Sequence, residues 1–188
     1  MHKGKIIVLS APSGTGKSSI IKRLLDYPEL NLGFSVSATS RAPRGAEEHG
    51  REYYFISHEE FKSRVTAGDF VEWEEVYPGT CYGTLKSEVQ RVTEAGRNLI
   101  MDIDVKGGLN VKKCYGEQAL TIFILPPSKE ELEKRLRGRA TDAEEVIRKR
   151  LDKADFELSF ADQFDVRVVN DDLERAVEEV RRLIIHNS

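Results

Sequence analysis

Four apolar runs punctuate an otherwise polar chain: Ile6-Ile7-Val8-Leu9, residues 99–103, residues 120–125 and residues 166–169. Each is short and mostly apolar, interrupted only at Asp102, Thr121 and Arg167, the pattern of a strand covered on both faces. Between them, apolar positions recur at helical spacing. A helix is predicted over residues 18–25, directly after a glycine-rich turn. Ser128 with Glu131, and Thr141 with Glu144, have capping-box spacing and mark two further helix starts. A last helix begins near Asp171 and gathers Leu173, Ala176, Val177, Val180, Leu183 and Ile184 on one face. Strands alternating with helices predict an α/β fold, a parallel sheet with helices on both faces.

That rhythm breaks over residues 35–84. Pro43, Gly45 and Gly50 supply turns, Tyr53-Tyr54-Phe55-Ile56 and Phe70-Val71-Glu72-Trp73 read as short strands, and residues 59–65 read as a short helix. This mixture predicts a small, mostly β subdomain inserted into the sheet protein. A second excursion, residues 128–150, is charged and rich in arginine. The predicted organisation is therefore one domain over residues 4–186, with its core in residues 4–34, 85–127 and 151–186.

Composition narrows the partners. With 188 residues, 39% of them hydrophobic, the chain can bury one full core. A net charge of −3 supplies no basic field for nucleic acid or a membrane surface, so neither is expected as a partner. Cys81 and Cys114 lack metal-ligand spacing and read as buried thiols in a reducing compartment. The first apolar run is too short for a secretory segment and no stretch reaches transmembrane length, which predicts a soluble, cytoplasmic protein.

The most specific chemistry lies in Ala11-Pro12-Ser13-Gly14-Thr15-Gly16-Lys17-Ser18, between the first strand and the first helix. Strand, glycine-rich turn and helix is the context a P-loop requires. Its glycines let backbone N–H groups turn inward onto phosphate oxygens, and the helix N-terminus points at the same place. Lys17 would reach the β- and γ-phosphates, and the Ser18 hydroxyl would hold Mg²⁺. Ala11 occupies the motif's usual first glycine and demands a negative φ there. The plainer reading is an ordinary turn, but the Lys-Ser ending and flanking elements favour a nucleoside triphosphate site.

Ser37, Arg41, Arg44, Tyr53, Glu72, Tyr82 and Thr84 form a second constellation in the insertion. Arg41-Ala42-Pro43-Arg44 sets two guanidinium groups beside a rigid turn, suited to forked hydrogen bonds with one phosphate. Tyr53 and Tyr82 could donate to the same oxygens. Either arginine alone would read as a solvated surface charge, and Glu72 alone as an exposed strand position. Beside a phosphate clamp, Glu72 instead suits guanine, which offers N1–H and an exocyclic amine side by side. Adenine offers a lone pair at N1 and no 2-amino group, and an unpaired buried carboxylate costs on the order of a few kcal/mol.

These residues carry a family resemblance. Ser35-Val36-Ser37-Ala38-Thr39-Ser40-Arg41-Ala42-Pro43-Arg44, then Glu47, Gly50, Tyr53 and Phe55, resembles the nucleotide-binding signature of guanylate kinases. Phe70-Val71-Glu72-Trp73, Tyr82-Gly83-Thr84, Asp102-Ile103-Asp104 and Val169-Asn170-Asp171-Asp172 extend it from Lys5 to the last helix. The resemblance implies a P-loop NTPase-type core, a GMP-binding insertion over residues 35–84 and an Arg-rich helical lid over residues 128–150. It implies transfer of the γ-phosphoryl group of ATP to GMP or dGMP, with Mg²⁺. Arg41, Arg44, Tyr53 and Tyr82 would hold the GMP phosphate, and Ser37, Glu72 and Thr84 would read the base. Asp102 and Asp104 match acidic positions that organise the nucleotide pair and reach Mg²⁺ through water; their alternative is strand-end capping.

By the same resemblance, Arg135, Arg139 and Arg150 match lid arginines that close over the ATP phosphates, Arg148 being a further arginine nearby. With Lys17 and Arg41 they make the expected catalytic set. Asn170 matches a position near adenine, or else caps the last helix. Lys106 stands where the family often has Gln, and Thr80-Cys81 where Asn-Tyr is usual. The acceptor phosphate oxygen is already largely ionised near neutral pH, its second pKa being about 6, so no histidine is cast as a base. Insertion and lid are expected to close over the nucleotides to exclude water. Two rival readings are a kinase for a phosphorylated ribose and a non-catalytic guanylate-kinase-like module that binds a phosphorylated protein segment. Monomer and homodimer both remain open.

Overall fold

The computed structural model describes residues 3–138 and 144–187. The chain opens with β1 (Ile6–Ser10), α1 (Lys17–Leu24) and β2 (Leu32–Phe34). It then leaves the core for β3 (Ala38–Thr39), β4 (Tyr54–Phe55), α2 (His58–Ala67), β5 (Phe70–Tyr77) and β6 (Thr80–Leu85). It returns through α3 (Lys86–Glu94), β7 (Asn98–Asp102), α4 (Val105–Tyr115) and β8 (Ala119–Leu125). The helices α5 (Lys129–Arg137) and α6 (Glu144–Leu158) precede β9 (Val166–Val169) and α7 (Leu173–Asn187).

The core sheet has the order β2-β7-β1-β8-β9, with every pair parallel. All five residues of β1 are buried, so its alternating side chains must be covered on both faces. Ile7 and Leu9 pack with Ile20, Leu24, Val177 and Val180 of α1 and α7. Ile6 and Val8 face the other way, toward Val89 and Val92 of α3 and Val111 of α4. The predicted two-sided parallel sheet follows from this arrangement. The run at 166–169 differs from its expected burial: β9 is an edge strand, and only Val168 is buried.

Capping chemistry sets several boundaries. β7 stops at Asp102 because Asp104 turns the chain into α4, its Oδ1 accepting from the Gly107 N–H at 2.8 Å. α7 starts at Leu173 because Asp172 accepts from the Arg175 N–H at 2.9 Å. Ser128 caps α5 as predicted, accepting from the Glu131 N–H at 3.0 Å. The second capping box falls on Thr141, outside the described residues.

The insertion has its own four-stranded sheet, ordered β4-β3-β6-β5. β5 extends well past Trp73 because it pairs antiparallel with β6 as a hairpin, placing Glu72 opposite Thr84. Beneath the sheet, Ala38, Phe61, Phe70, Cys81 and Leu85 form a separate small core, with the Phe61 and Phe70 rings stacked at 4.4 Å. Cys81 is buried there, but Cys114 is exposed on α4, against the expectation of two buried thiols. The expected boundaries at 84/85 and 150/151 both fall inside single elements, β6 and α6.

Candidate active site

The loop between β1 and α1 wraps a cavity of about 350 Å³ whose wall runs continuously from Ala11 to Ser19. Gly14 and Gly16 take φ of 89° and 88°, a backbone state that side chains resist. Gly16 has a second constraint: a Cβ there would lie 2.5 Å from the Asn170 amide nitrogen. Asn31 is the one non-glycine residue with positive φ among the described residues, so Ala11 meets the conformational demand placed on it. Pro12 and Thr15 are buried, the Thr15 hydroxyl donating to the Pro12 carbonyl at 2.8 Å. Ser13 and Ser18 are exposed, the latter in the first turn of α1.

Across the cavity lie Asp102, the last residue of β7, and Ile103 and Asp104 just beyond it. Lys17 Nζ rests 2.5 Å from Asp102 Oδ1. Asp104 caps the start of α4, and it also lines the cavity. Asn170 is buried, but its amide donates to the Thr15 carbonyl at 2.6 Å and does not cap α7. It therefore pins the phosphate loop from beneath.

Asp102, Ile103 and Asp104 also form the wall of a second cavity, about 210 Å³, whose other side is Ser37, Tyr53, Glu72 and Tyr82. The Thr84 hydroxyl donates to Glu72 Oε1 at 2.7 Å. Burial pushes the Glu72 carboxyl up; Asp104 adds to the rise and the Thr84 hydrogen bond opposes it. The approach of α4 is close, since a Cβ on Gly107 would lie 3.2 Å from Glu72 Oε2. A larger groove, about 500 Å³, runs along α7 between Arg175 and His186, but none of the phosphate-binding motifs reaches it.

The arginine clamp departs from expectation. Arg41 donates through Nη1 and Nη2 to the two oxygens of Glu47 at 2.7 and 2.9 Å, through Nε to the Tyr82 hydroxyl at 2.9 Å, and to the Ala42 carbonyl. Of five guanidinium N–H groups this leaves one on Nη2, so the fork expected for phosphate is held by a carboxylate. The guanidinium also lies 5.0 Å from the Tyr53 ring centre. Arg41 and the Arg44 backbone N–H together draw the Glu47 carboxyl down to about 2. The Arg44 side chain is exposed rather than paired with Arg41.

Among the described residues, Arg135, Arg148 and Arg150 line neither cavity. Arg135 donates to Glu131 at 3.1 Å and to the Asn170 carbonyl at 3.3 Å. Arg150 is half-buried on α6, Arg148 is exposed, and Arg139 lies outside the described residues. What α6 does bring to the phosphate-loop cavity is Lys153 and Glu157. Glu157 is buried, which pushes its carboxyl up; Lys153 and Lys17 oppose the rise and Asp104 adds to it. In sequence, Lys153 and Glu157 read as a solvated i,i+4 pair, and nothing in the pattern signalled burial. Glu47 stood in the signature without a role, although its spacing from Arg41 was visible.

A family model described as Guanylate kinase matches residues 3–187. The chain belongs to the guanylate kinase family. It is similar to the guanylate kinase of Porphyromonas gingivalis, 59% identical over 180 residues that cover 96% of each chain. The guanylate kinase of Bacteroides thetaiotaomicron is 56% identical over 96% of this chain and 88% of its own. Among solved structures, the crystal structure of guanylate kinase from Anaplasma phagocytophilum has a TM-score of 0.73 and 32% identity, covering 99% of this chain and 87% of that one. The departures from the guanylate kinase pattern are accommodated locally. Lys106 lies 5.5 Å from the Phe156 ring of α6, and Cys81 exchanges hydrogen bonds with Ser40 beside the clamp. Among the described residues, no helix is long and apolar enough to cross a membrane.

Proposed function

We propose that the chain transfers the γ-phosphoryl group of ATP to GMP or dGMP, giving ADP and GDP or dGDP. The observation that carries this reading is the common wall at Asp102, Ile103 and Asp104 between the phosphate-loop cavity and the insertion cavity. A donor and an acceptor seated in the two would meet there, reactive phosphates facing. Bringing the reactants together in this way can supply about 7–11 kcal/mol of the barrier.

The residues divide the work. Residues 11–18 cradle the donor phosphates through the backbone N–H groups that follow Pro12, and Lys17 leaves Asp102 for the oxygens that gain charge during transfer. Tyr53, Tyr82 and Arg41 grip the acceptor phosphate, with Arg41 oriented by Glu47 and contributing its remaining N–H and its charge. Arg44 approaches the same phosphate from solvent. Ser37, Glu72 and Thr84 read guanine: the carboxylate accepts from N1–H and the amine while the Thr84 hydroxyl holds it in place. Arg135 and Arg150 swing in with α5 and α6, Arg139 is the third arginine of that set, and Asn170 fixes the loop beneath the donor.

The donor set also fits Mg²⁺, which favours few protein ligands and several waters. Ser18 is exposed at the loop, and the described residues contain no cluster of three His, Cys, Asp or Glu side chains that could hold a metal. Ser18 would hold the ion, with Asp102 or Asp104 reaching it through water. When bound it supplies charge neutralisation on the phosphates.

A coupled ADP-release assay across GMP, dGMP, AMP, UMP, CMP and sugar phosphates tests the reading. Turnover confined to the guanine nucleotides is expected. Equal rates with AMP, or activity toward a phosphorylated ribose alone, would overturn it.

A further inference from the structure

Glu88 lies in the first turn of α3, where the chain has just returned from the insertion, and it is 2% exposed. By sequence it is an ordinary acid at a helix start. Its partners are not ordinary. Oε1 accepts from the Val36 N–H at 3.1 Å and from Arg91 Nη2 at 3.0 Å; Oε2 accepts from the Tyr54 hydroxyl and from Arg91 Nε, each at 3.0 Å. Burial alone would raise this carboxyl, but Arg91, Val36 and Tyr54 together hold it below the ordinary value, so the site fits the charged form.

The three elements thus tied together are significant. Val36 lies on the outgoing connection from β2 to β3, Glu88 follows the return connection from β6, and Tyr54 belongs to β4. One carboxylate therefore fastens both crossings of the insertion and one of its strands. Tyr53 and Tyr54 are consecutive, so in extended backbone their side chains leave on opposite sides. Tyr54 reaches Glu88, while the Tyr53 ring meets Tyr82 at 5.7 Å and Arg41 at 5.0 Å. Beside the fastening there is slack. Ser35, just before Val36, has a buried hydroxyl without a partner among the described residues and borders a cavity of about 170 Å³ that Ser37 and Tyr53 also line.

We infer that Glu88 is a positioning residue for the acceptor nucleotide: it is the fixed point about which the insertion turns, and it acts through Tyr54 to aim Tyr53 into the phosphate clamp. This inference rests on the reading of the insertion cavity as the GMP site. Among the described residues, its hydrogen-bond partners are Val36, Tyr54 and Arg91, none of them assigned to either nucleotide.

Glu88→Gln keeps the shape but turns an amide toward donors, and Tyr54→Phe removes a single hydroxyl, so it serves if the first variant folds poorly. KM for each substrate, kcat and the calorimetric Kd for GMP are measured on the full chain. In Glu88→Gln we expect KM and Kd for GMP to rise about five- to twentyfold, with a smaller rise in Tyr54→Phe. KM for ATP and kcat stay within about twofold, and the double variant is no worse than Glu88→Gln. Loss of thermal stability with an unchanged KM for GMP, or an equal rise in both KM values, overturns the inference. If the unaltered chain turns over no GMP, the proposed activity itself falls. If it turns over GMP and both variants match it, only the role of Glu88 falls.

Discussion

Replacing Asn170 by aspartate exchanges one NH₂ group for an oxygen of nearly the same size, at a site where that group has one task. The amide donates to the Thr15 carbonyl at 2.6 Å from a buried position, so the substituted carboxylate would set two acceptor oxygens against each other. Leaving such a carbonyl unpaired costs about 1–3 kcal/mol, and a charged neighbour adds to that. In a domain of this length that is a fall in Tm of roughly 2–12 °C. Asn170→Ala should show the cost without the charge. The introduced carboxyl would have a pKa raised above the ordinary aspartate value of about 3.9, because only its protonated form can donate to Thr15. The folded state then binds more protons than the unfolded one, so the deficit relative to the unsubstituted chain grows as pH rises through the raised value and vanishes below about pH 4. Because Thr15 belongs to the phosphate loop, KM for ATP should rise as well, with KM for GMP unchanged. Scanning calorimetry from about pH 4 to 8 with steady-state kinetics near pH 7.5 gives the answer. A variant as stable as its parent at the alkaline end, with an unaltered KM for ATP, would refute the reasoning.

Three further outcomes follow from the geometry. Glu72→Gln should raise KM for GMP about 100-fold or more with little effect on ATP, because an amide presents donors to guanine's donors; an unchanged KM for GMP removes Glu72 from the base site. Lys17→Met should lower kcat about 10³-fold while the fold persists, since its charge serves the transition state; single-turnover phosphate transfer at the parent rate would contradict that. The Glu47 carboxyl, drawn from 4.5 to about 2 by Arg41 and Arg44, stabilises the insertion above about pH 4.5, and that contribution disappears as pH falls toward 2. Hydrogen exchange in residues 41–47 should therefore accelerate over that window, and Glu47→Gln should flatten the dependence; exchange insensitive to pH in the parent chain, after correction for its intrinsic rate, would count against the pair.

The sheet was legible because burial on both faces leaves continuous apolar runs such as Ile6-Ile7-Val8-Leu9. β2 and β3 were not, being too short to show a period. The phosphate loop and the insertion residues Ser37, Tyr53, Glu72 and Tyr82 stood out because unusual residue types recur there at characteristic intervals. Partnerships were harder to see. A guanidinium is equally at home on a phosphate and on a carboxylate, so sequence could not say that Arg41 rests on Glu47. Glu88 and Glu157 read as solvent-facing helix acids, since their burial depends on elements far away in the chain. The side-chain amide of Asn170 reaches back 155 residues to its carbonyl, a distance no local pattern spans.

A partition that belongs to two compartments cannot be altered for one alone. Residues 102–104 stand between the cavities, so a change at Asp102 should disturb both nucleotides together, whereas Glu72 and Asn170 each sit on a single side. Kinetic effects at the partition are then properties of the ternary assembly. Assigning them to a particular substrate requires pairing each such variant with one from either flank.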